Sequence, residues 1–156
     1  MKMNILKANR SDLQEILKLQ YSAYQSEAVI YNEVNLPPLT QPLPEVEQEY
    51  EKGIFLKAVN ESGEIIGAVR AFPNGETTKI NKLIVCPENQ GKGIGTKLLS
   101  AIERECPSTR YELFTGHKSV RNIKLYERLG YTIFKTEKVS ETRTLVYMEK
   151  CGGDEI

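Results

Sequence analysis

The 156-residue chain has the size of one domain and is long enough to bury a substantial core. Its 21 basic and 21 acidic side chains cancel to a formal net charge of zero, which argues against nucleic acid or another polyanion as the main partner. No segment has the apolar length of a membrane helix, the first seven residues lack the core of a signal peptide, and one histidine with three scattered cysteines (Cys86, Cys106, Cys151) suits a reducing cytoplasm without a zinc site or a disulfide framework.

Residues 4–8 alternate weakly and read as a first strand. Ser11-Asp12-Leu13-Gln14 reads as a capping box, and Leu13, Ile16, Leu17, Gln20 and Tyr24 follow helical spacing, so a helix is expected over 11–25. Residues 26–43 carry Pro37, Pro38 and Pro42 and are expected to form a long loop of functional interest. A short helix then begins near Pro44, with Val46 and Tyr50 one turn apart and Gly53 closing it. Ile54–Val59 and Glu64–Phe72 are two apolar runs joined by a turn, Asn74-Gly75 marks a second turn, and Lys79–Val85 completes a three-strand meander. A helix is expected over Gly91–Glu105, with Ile94, Leu98, Ala101 and Ile102 on one face and Pro107 beyond its end. Tyr111–Thr115 reads as a strand, and Ser119 can cap a helix running to Leu129, with Gly130 at its C-terminus. Tyr131–Lys138 and Arg143–Lys150 read as final strands, and residues 151–156 as a frayed, glycine-rich acidic tail after a single domain over 1–150. This order predicts an α/β chain: a mixed sheet with helices on both faces.

The densest chemical signal is Gln90-Gly91-Lys92-Gly93-Ile94-Gly95-Thr96, which joins a β-branched strand to a helix. Glycines let the backbone approach a ligand and aim successive N–H groups one way, and the helix N-terminus adds positive potential, so the segment is an anion site. It matches neither the dinucleotide fingerprint nor the P-loop. It does match Gln/Arg-x-x-Gly-x-Gly/Ala, and in this it resembles the pyrophosphate loop of the GNAT superfamily of N-acetyltransferases. A second segment, Ser119 to Tyr131 with Leu125-Tyr126 and Leu129-Gly130-Tyr131, is similar to that family's Asn-x-x-Ala-x-x-Leu-Tyr-x-x-x-Gly-Phe/Tyr motif. Here Ser119 stands where the family has asparagine, and Asn122 where it has alanine.

The resemblance implies the GNAT fold, a central, mostly antiparallel sheet, from about residue 3 to 150. It implies acetyl-CoA as cosubstrate, no metal, and transfer of the acetyl group to a primary amine of a small molecule or peptide by direct attack. Related domains often form dimers. The family's pattern puts Gln90, Gly91, Gly93, Gly95 and Thr96 on the pyrophosphate, with Lys92 adding charge. Ser119 or Asn122 would hold the pantetheine arm, and the backbone of Ile84 and Val85 the thioester oxygen, at a point where strands must splay. Tyr126 would give the leaving thiolate a hydrogen bond, because a phenol stays protonated at neutral pH.

The meander strand lacks the glutamate that many relatives carry, which leaves Glu33 and His117 as candidate bases and solvent as a third route. Tyr21, Tyr24, Tyr31 and Glu33 would suit a cationic amine. Two other readings stay open: a catalytically silent acyl-CoA-binding domain acting as sensor or interaction module, and a hydrolase built on Cys86 and His117.

Overall fold

The computed structural model of the chain describes residues 2–152. Strand β1 (Met3–Lys7) leads into helices α1 (Leu13–Ala23), α2 (Gln25–Tyr31), α3 (Pro37–Thr40) and α4 (Leu43–Lys52). The meander β2 (Ile54–Asn60), β3 (Ile65–Asn74) and β4 (Thr77–Val85) follows, then α5 (Ile94–Glu105), β5 (Arg110–Gly116), α6 (Val120–Arg128), β6 (Thr132–Lys138) and β7 (Thr144–Cys151). The strands share one sheet in the order β1-β2-β3-β4-β5-β7-β6, antiparallel except between β4 and β5. The mixed, mostly antiparallel α/β architecture is the one expected from the sequence.

Helices cover both faces. On one, Leu98, Leu99 and Ile102 of α5 and Tyr126 of α6 pack with Leu56, Val69 and Ile80. On the other, Leu13, Ile16 and Leu17 of α1 and Val46 of α4 pack with Phe55, Ala68 and Ile84. Neighbours Phe55 and Leu56 go to opposite faces, as do Ala68 and Val69, which is the period of a strand. Ile80 and Ile84 break that period: four residues apart, they still lie on opposite faces. Ala68 pairs with Ile84 and Arg70 with Asn81, so Lys82 and Leu83 together oppose Val69. This is a β-bulge, and one extra residue flips every side chain beyond it. Lys82 carries the strain, with φ 51° in the left-handed region.

Beside the bulge the sheet opens. β4 and β5 pair only through Thr77–Lys79 and Arg110–Glu112, so the β5-facing edge of β4 beyond Lys79 has no strand partner. Opposite this gap, the N-terminal helices are pinned by a buried polar knot. Arg70 of β3, 1% exposed, donates to Glu49 Oε1 at 2.7 Å and Gln20 Oε1 at 2.8 Å. Gln20 in turn donates to Pro38 O and to Gln41 Oε1. The guanidinium also stacks on the Phe55 ring, 4.7 Å from its centroid. A buried charge needs such partners, so α1, α3 and α4 are fixed on β3 as a unit.

Four expectations are corrected. Residues 26–43 are not a plain loop, because they contain α2 and α3. The first helix is not capped by Ser11: Asp12 Oδ2 accepts the Asn9 N–H at 2.7 Å, so the box sits two residues earlier. α5 begins at Ile94 rather than Gly91, because Gly91 and Gly93 hold φ 79° and 83°, which no right-handed helix admits. Cys151 is not in a frayed tail: it closes β7 opposite Arg110, and the Gly152 N–H donates to Thr109 O at 2.7 Å. The rest of the expected tail, 153–156, lies outside the described residues.

Candidate active site

The strand-to-helix turn after β4 carries the first half of the site. Lys97 N–H donates to Gly93 O and makes the first bond of α5, so the N–H groups of Ile94, Gly95 and Thr96 have no helical acceptor. They open on a cavity of about 550 Å³ lined by Ile84, Val85, Gln90, Gly91, Gly93, Gly95 and Thr96 on one side and Ser119, Asn122 and Leu125 on the other. Gln90, exposed at the lining, links the strand end to α6: its Nε2 donates to Val85 O at 3.2 Å, and Arg121 Nη1 donates to its Oε1 at 3.4 Å. Lys118, Arg121 and Arg128 add positive charge to the lining.

A second cavity, of about 350 Å³, lies between the splayed strands and α2–α3. Four residues, Tyr24, Glu27, Leu83 and Asn122, line both cavities, so the two meet at the unpaired edge of β4. Tyr126 of α6 lines the second. Burial, with Tyr24 and Glu27 nearby, pushes its phenol well above the usual tyrosine range, so it keeps its proton. Its hydroxyl has no hydrogen-bond partner among the described residues. Burial likewise pushes Tyr24 up to about 12.

At the meeting point a relay holds one carboxylate. The Lys118 N–H donates to the Tyr31 hydroxyl at 2.9 Å, Tyr31 and Ser119 share a 2.7 Å bond, and the Ser119 hydroxyl donates to Glu27 Oε1 at 2.5 Å. Since Ser119 gives its only proton to Glu27, it accepts from Tyr31. Gly116 makes room, because a Cβ there would overlap the Tyr31 hydroxyl. Glu27 Oε2 is left without a hydrogen bond among the described residues.

The sequence and the fold that carry these two cavities are similar to those of known proteins. The model of the Acetyltransferase (GNAT) family matches residues 12–131. The chain belongs to the GNAT acetyltransferase family. Among solved structures, yncA of Salmonella typhimurium with its cofactor acetyl-CoA superposes with a TM-score of 0.75 at 22% identity, covering 100% of this chain and 97% of that one. Among curated proteins, YqkA of Bacillus subtilis is 26% identical over 128 residues (81% of this chain, 36% of its own length). YdhI of the same organism is 40% identical over 77 residues, 47% of each chain. The chain thus spans between about a third and a half of the curated relatives it matches.

Most of the GNAT residues named from the sequence come together. Ile84, Val85, Gln90, Gly91, Gly93, Gly95, Thr96, Ser119 and Asn122 line the first cavity, and Tyr126 with Asn122 the second. Lys92 lines neither and is exposed. Ser119 occupies the N-cap position of α6, yet its hydroxyl serves Glu27 rather than the helix.

The two candidate bases are elsewhere. His117 is exposed outside both cavities, its Nδ1 accepting the Thr144 N–H at 3.0 Å. Glu33 accepts the Thr142 and Ser140 hydroxyls, which hold its carboxyl below the usual range, and it ties α2 to the β6–β7 turn. Cys86 donates its thiol proton to Glu88, and burial with that acid raises its pKa, the opposite of an activated nucleophile.

The sequence reading missed Glu27, Lys118, Arg121 and Arg128. Glu27 lies just past the periodic helix, in the proline-bearing stretch 26–43 whose composition predicts loop. Arg121 was legible in principle: it follows Ser119 by two in the second motif, on the turn facing the glycines.

Proposed function

We propose that the chain transfers the acetyl group of acetyl-CoA to a primary amine of a small molecule or peptide by direct attack. The observation that carries this is the meeting of the two cavities at the unpaired edge of β4, with Tyr126 and Glu27 beside it. The residues present fit the cosubstrate. Free N–H groups at the start of α5 and the side chains of Lys118, Arg121 and Arg128 suit a pyrophosphate. Acetyl-CoA supplies the activated acyl carbon and a thiol leaving group.

The backbone at Ile84 and Val85 faces the thioester oxygen and stabilises the negative charge that develops there. Glu27, with Oε2 free, takes the proton of the attacking amine, directly or through one water. Tyr126, which keeps its proton, donates a hydrogen bond to the departing sulfur. The amine nitrogen adds to the thioester carbon, the C–S bond then breaks, and the amine proton taken by Glu27 is passed to the CoA thiolate, so the protons balance. Glu27 replaces Glu33 and His117 in this scheme, because neither of those reaches a cavity.

The test is release of free thiol from acetyl-CoA across a panel of amines. Amine-dependent release that falls in Tyr126→Phe supports acetyl transfer. Tight acetyl-CoA binding with no release against any amine would instead favour the silent binding domain.

A further inference from the structure

The second cavity has a polarity that acetyl transfer alone does not require. Its charged lining is Glu27, Lys82 and Arg143. The carboxylate also borders the first cavity, whereas both cations border only the second. Most of the remaining wall is apolar, including Leu36, Pro38, Ile80, Leu113, Val139 and Leu145.

Neither cation has a hydrogen-bonded acid partner among the described residues. Arg143 Nε is buried with no hydrogen bond. Its nearest acid is Glu33 at 4.0 Å, and that same Oε2 already accepts two hydroxyls. Lys82 makes no hydrogen bond or ion pair among the described residues, although the bulge holds it at φ 51° facing the cavity. The charges around it are Arg70, Glu49 and Glu45, and of these Glu49 is engaged by Arg70 and Gln41, and Glu45 by Gln41. Burial and Arg70 lower the Lys82 pKa, so an anion beside it would relieve an unpaired charge.

We propose that the acceptor is a small amine that also bears a carboxylate and an apolar body, its carboxylate held by Lys82 and Arg143 and its amino group presented to Glu27. This rests on the acetyl-transfer reading and narrows its substrate class to amino-acid-like zwitterions. It replaces the cationic amine expected from the aromatic and acidic residues of the N-terminal segment.

The experiment compares L-phenylalanine and L-leucine with 2-phenylethylamine and 3-methylbutylamine, their decarboxylated counterparts, and with spermidine, by thiol release. The expected result is a kcat/KM higher by about 10- to 100-fold for the carboxylate-bearing amines, the worth of a charged hydrogen bond. Lys82→Met and Arg143→Met should each shrink that ratio. Equal or greater release with the decarboxylated amines or spermidine overturns the proposal and leaves acetyl transfer standing. Absence of release with every amine counts against acetyl transfer instead. Calorimetry with N-acetylphenylalanine and N-(2-phenylethyl)acetamide, in the presence of CoA, then decides. Preference for the carboxylate upholds the proposal, and equal binding overturns it.

Discussion

In the proposed reaction Glu27 takes the amine proton and Tyr126 hydrogen-bonds the leaving sulfur, and each can be removed with little change of shape. Tyr126→Phe deletes an unbonded hydroxyl, so we expect kcat to fall by about 100-fold while acetyl-CoA affinity holds, because a preorganised donor to charge that develops in the transition state is worth about 10²–10³. Equal turnover in the variant would make the tyrosine a packing residue. Glu27→Gln keeps the acceptor for Ser119 and removes the base, and steady-state kinetics should again register the loss in kcat rather than in cosubstrate affinity. Tyr126 was legible in the sequence because its motif is local: a tyrosine after leucine and four residues before glycine. Glu27 was not, because its role depends on a contact with Ser119 across 92 residues. For the same reason Glu33 looked equivalent, although the hydroxyls of Thr142 and Ser140 occupy it.

The elements around the site are placed by a few non-local fits. Gly116→Ala should displace the Tyr31 ring, break the relay to Glu27 and destabilise the fold by about 1–3 kcal/mol, measurable by denaturant melts. Arg70→Met should cost about 3 kcal/mol, since it strands Glu49 and empties the knot that holds α1, α3 and α4. The Glu33 clasp has an acid signature. Its carboxyl is held below the ordinary glutamate range by Thr142 and then Ser140, so its contribution is present above the unfolded value and fades as pH falls through the lower folded value. Glu33→Gln should therefore flatten the acid limb of a melting-temperature profile, and an unchanged limb would remove the clasp. Helices α1, α5 and α6 were readable from their apolar period alone, since the hydroxyls expected to cap α1 and α6, Ser11 and Ser119, do not do so. α2 escaped, since seven residues with Val29 and Ile30 exposed leave no amphipathic stripe. The bulge at Lys82 escaped as well, because a flip of face after one residue is invisible in an apolar strand until its neighbours are known.

At the scale of the whole molecule, the site is a gap that the sheet is built to keep. β4 leaves β5 after three paired residues, helices cover both faces, and the opening between the strands joins the glycine-turn cavity to the second cavity. Electroneutrality overall and concentrated local charge fit a protein that holds a small anionic cosubstrate rather than a polymer. Gly93 links this account to one position: nothing lies within 4 Å of a Cβ there, so Gly93→Val acts through φ 83° alone and redirects the N–H groups of the α5 turn. The measurement is thermal melting of the wild-type chain and Gly93→Val with acetyl-CoA at about 100 times its dissociation constant, where binding to the folded state adds about 2.7 kcal/mol. The expected result is a rise of about 5–10 °C in the wild type and a much smaller one in the variant. No rise in the wild type, or an equal rise in both, would contradict it.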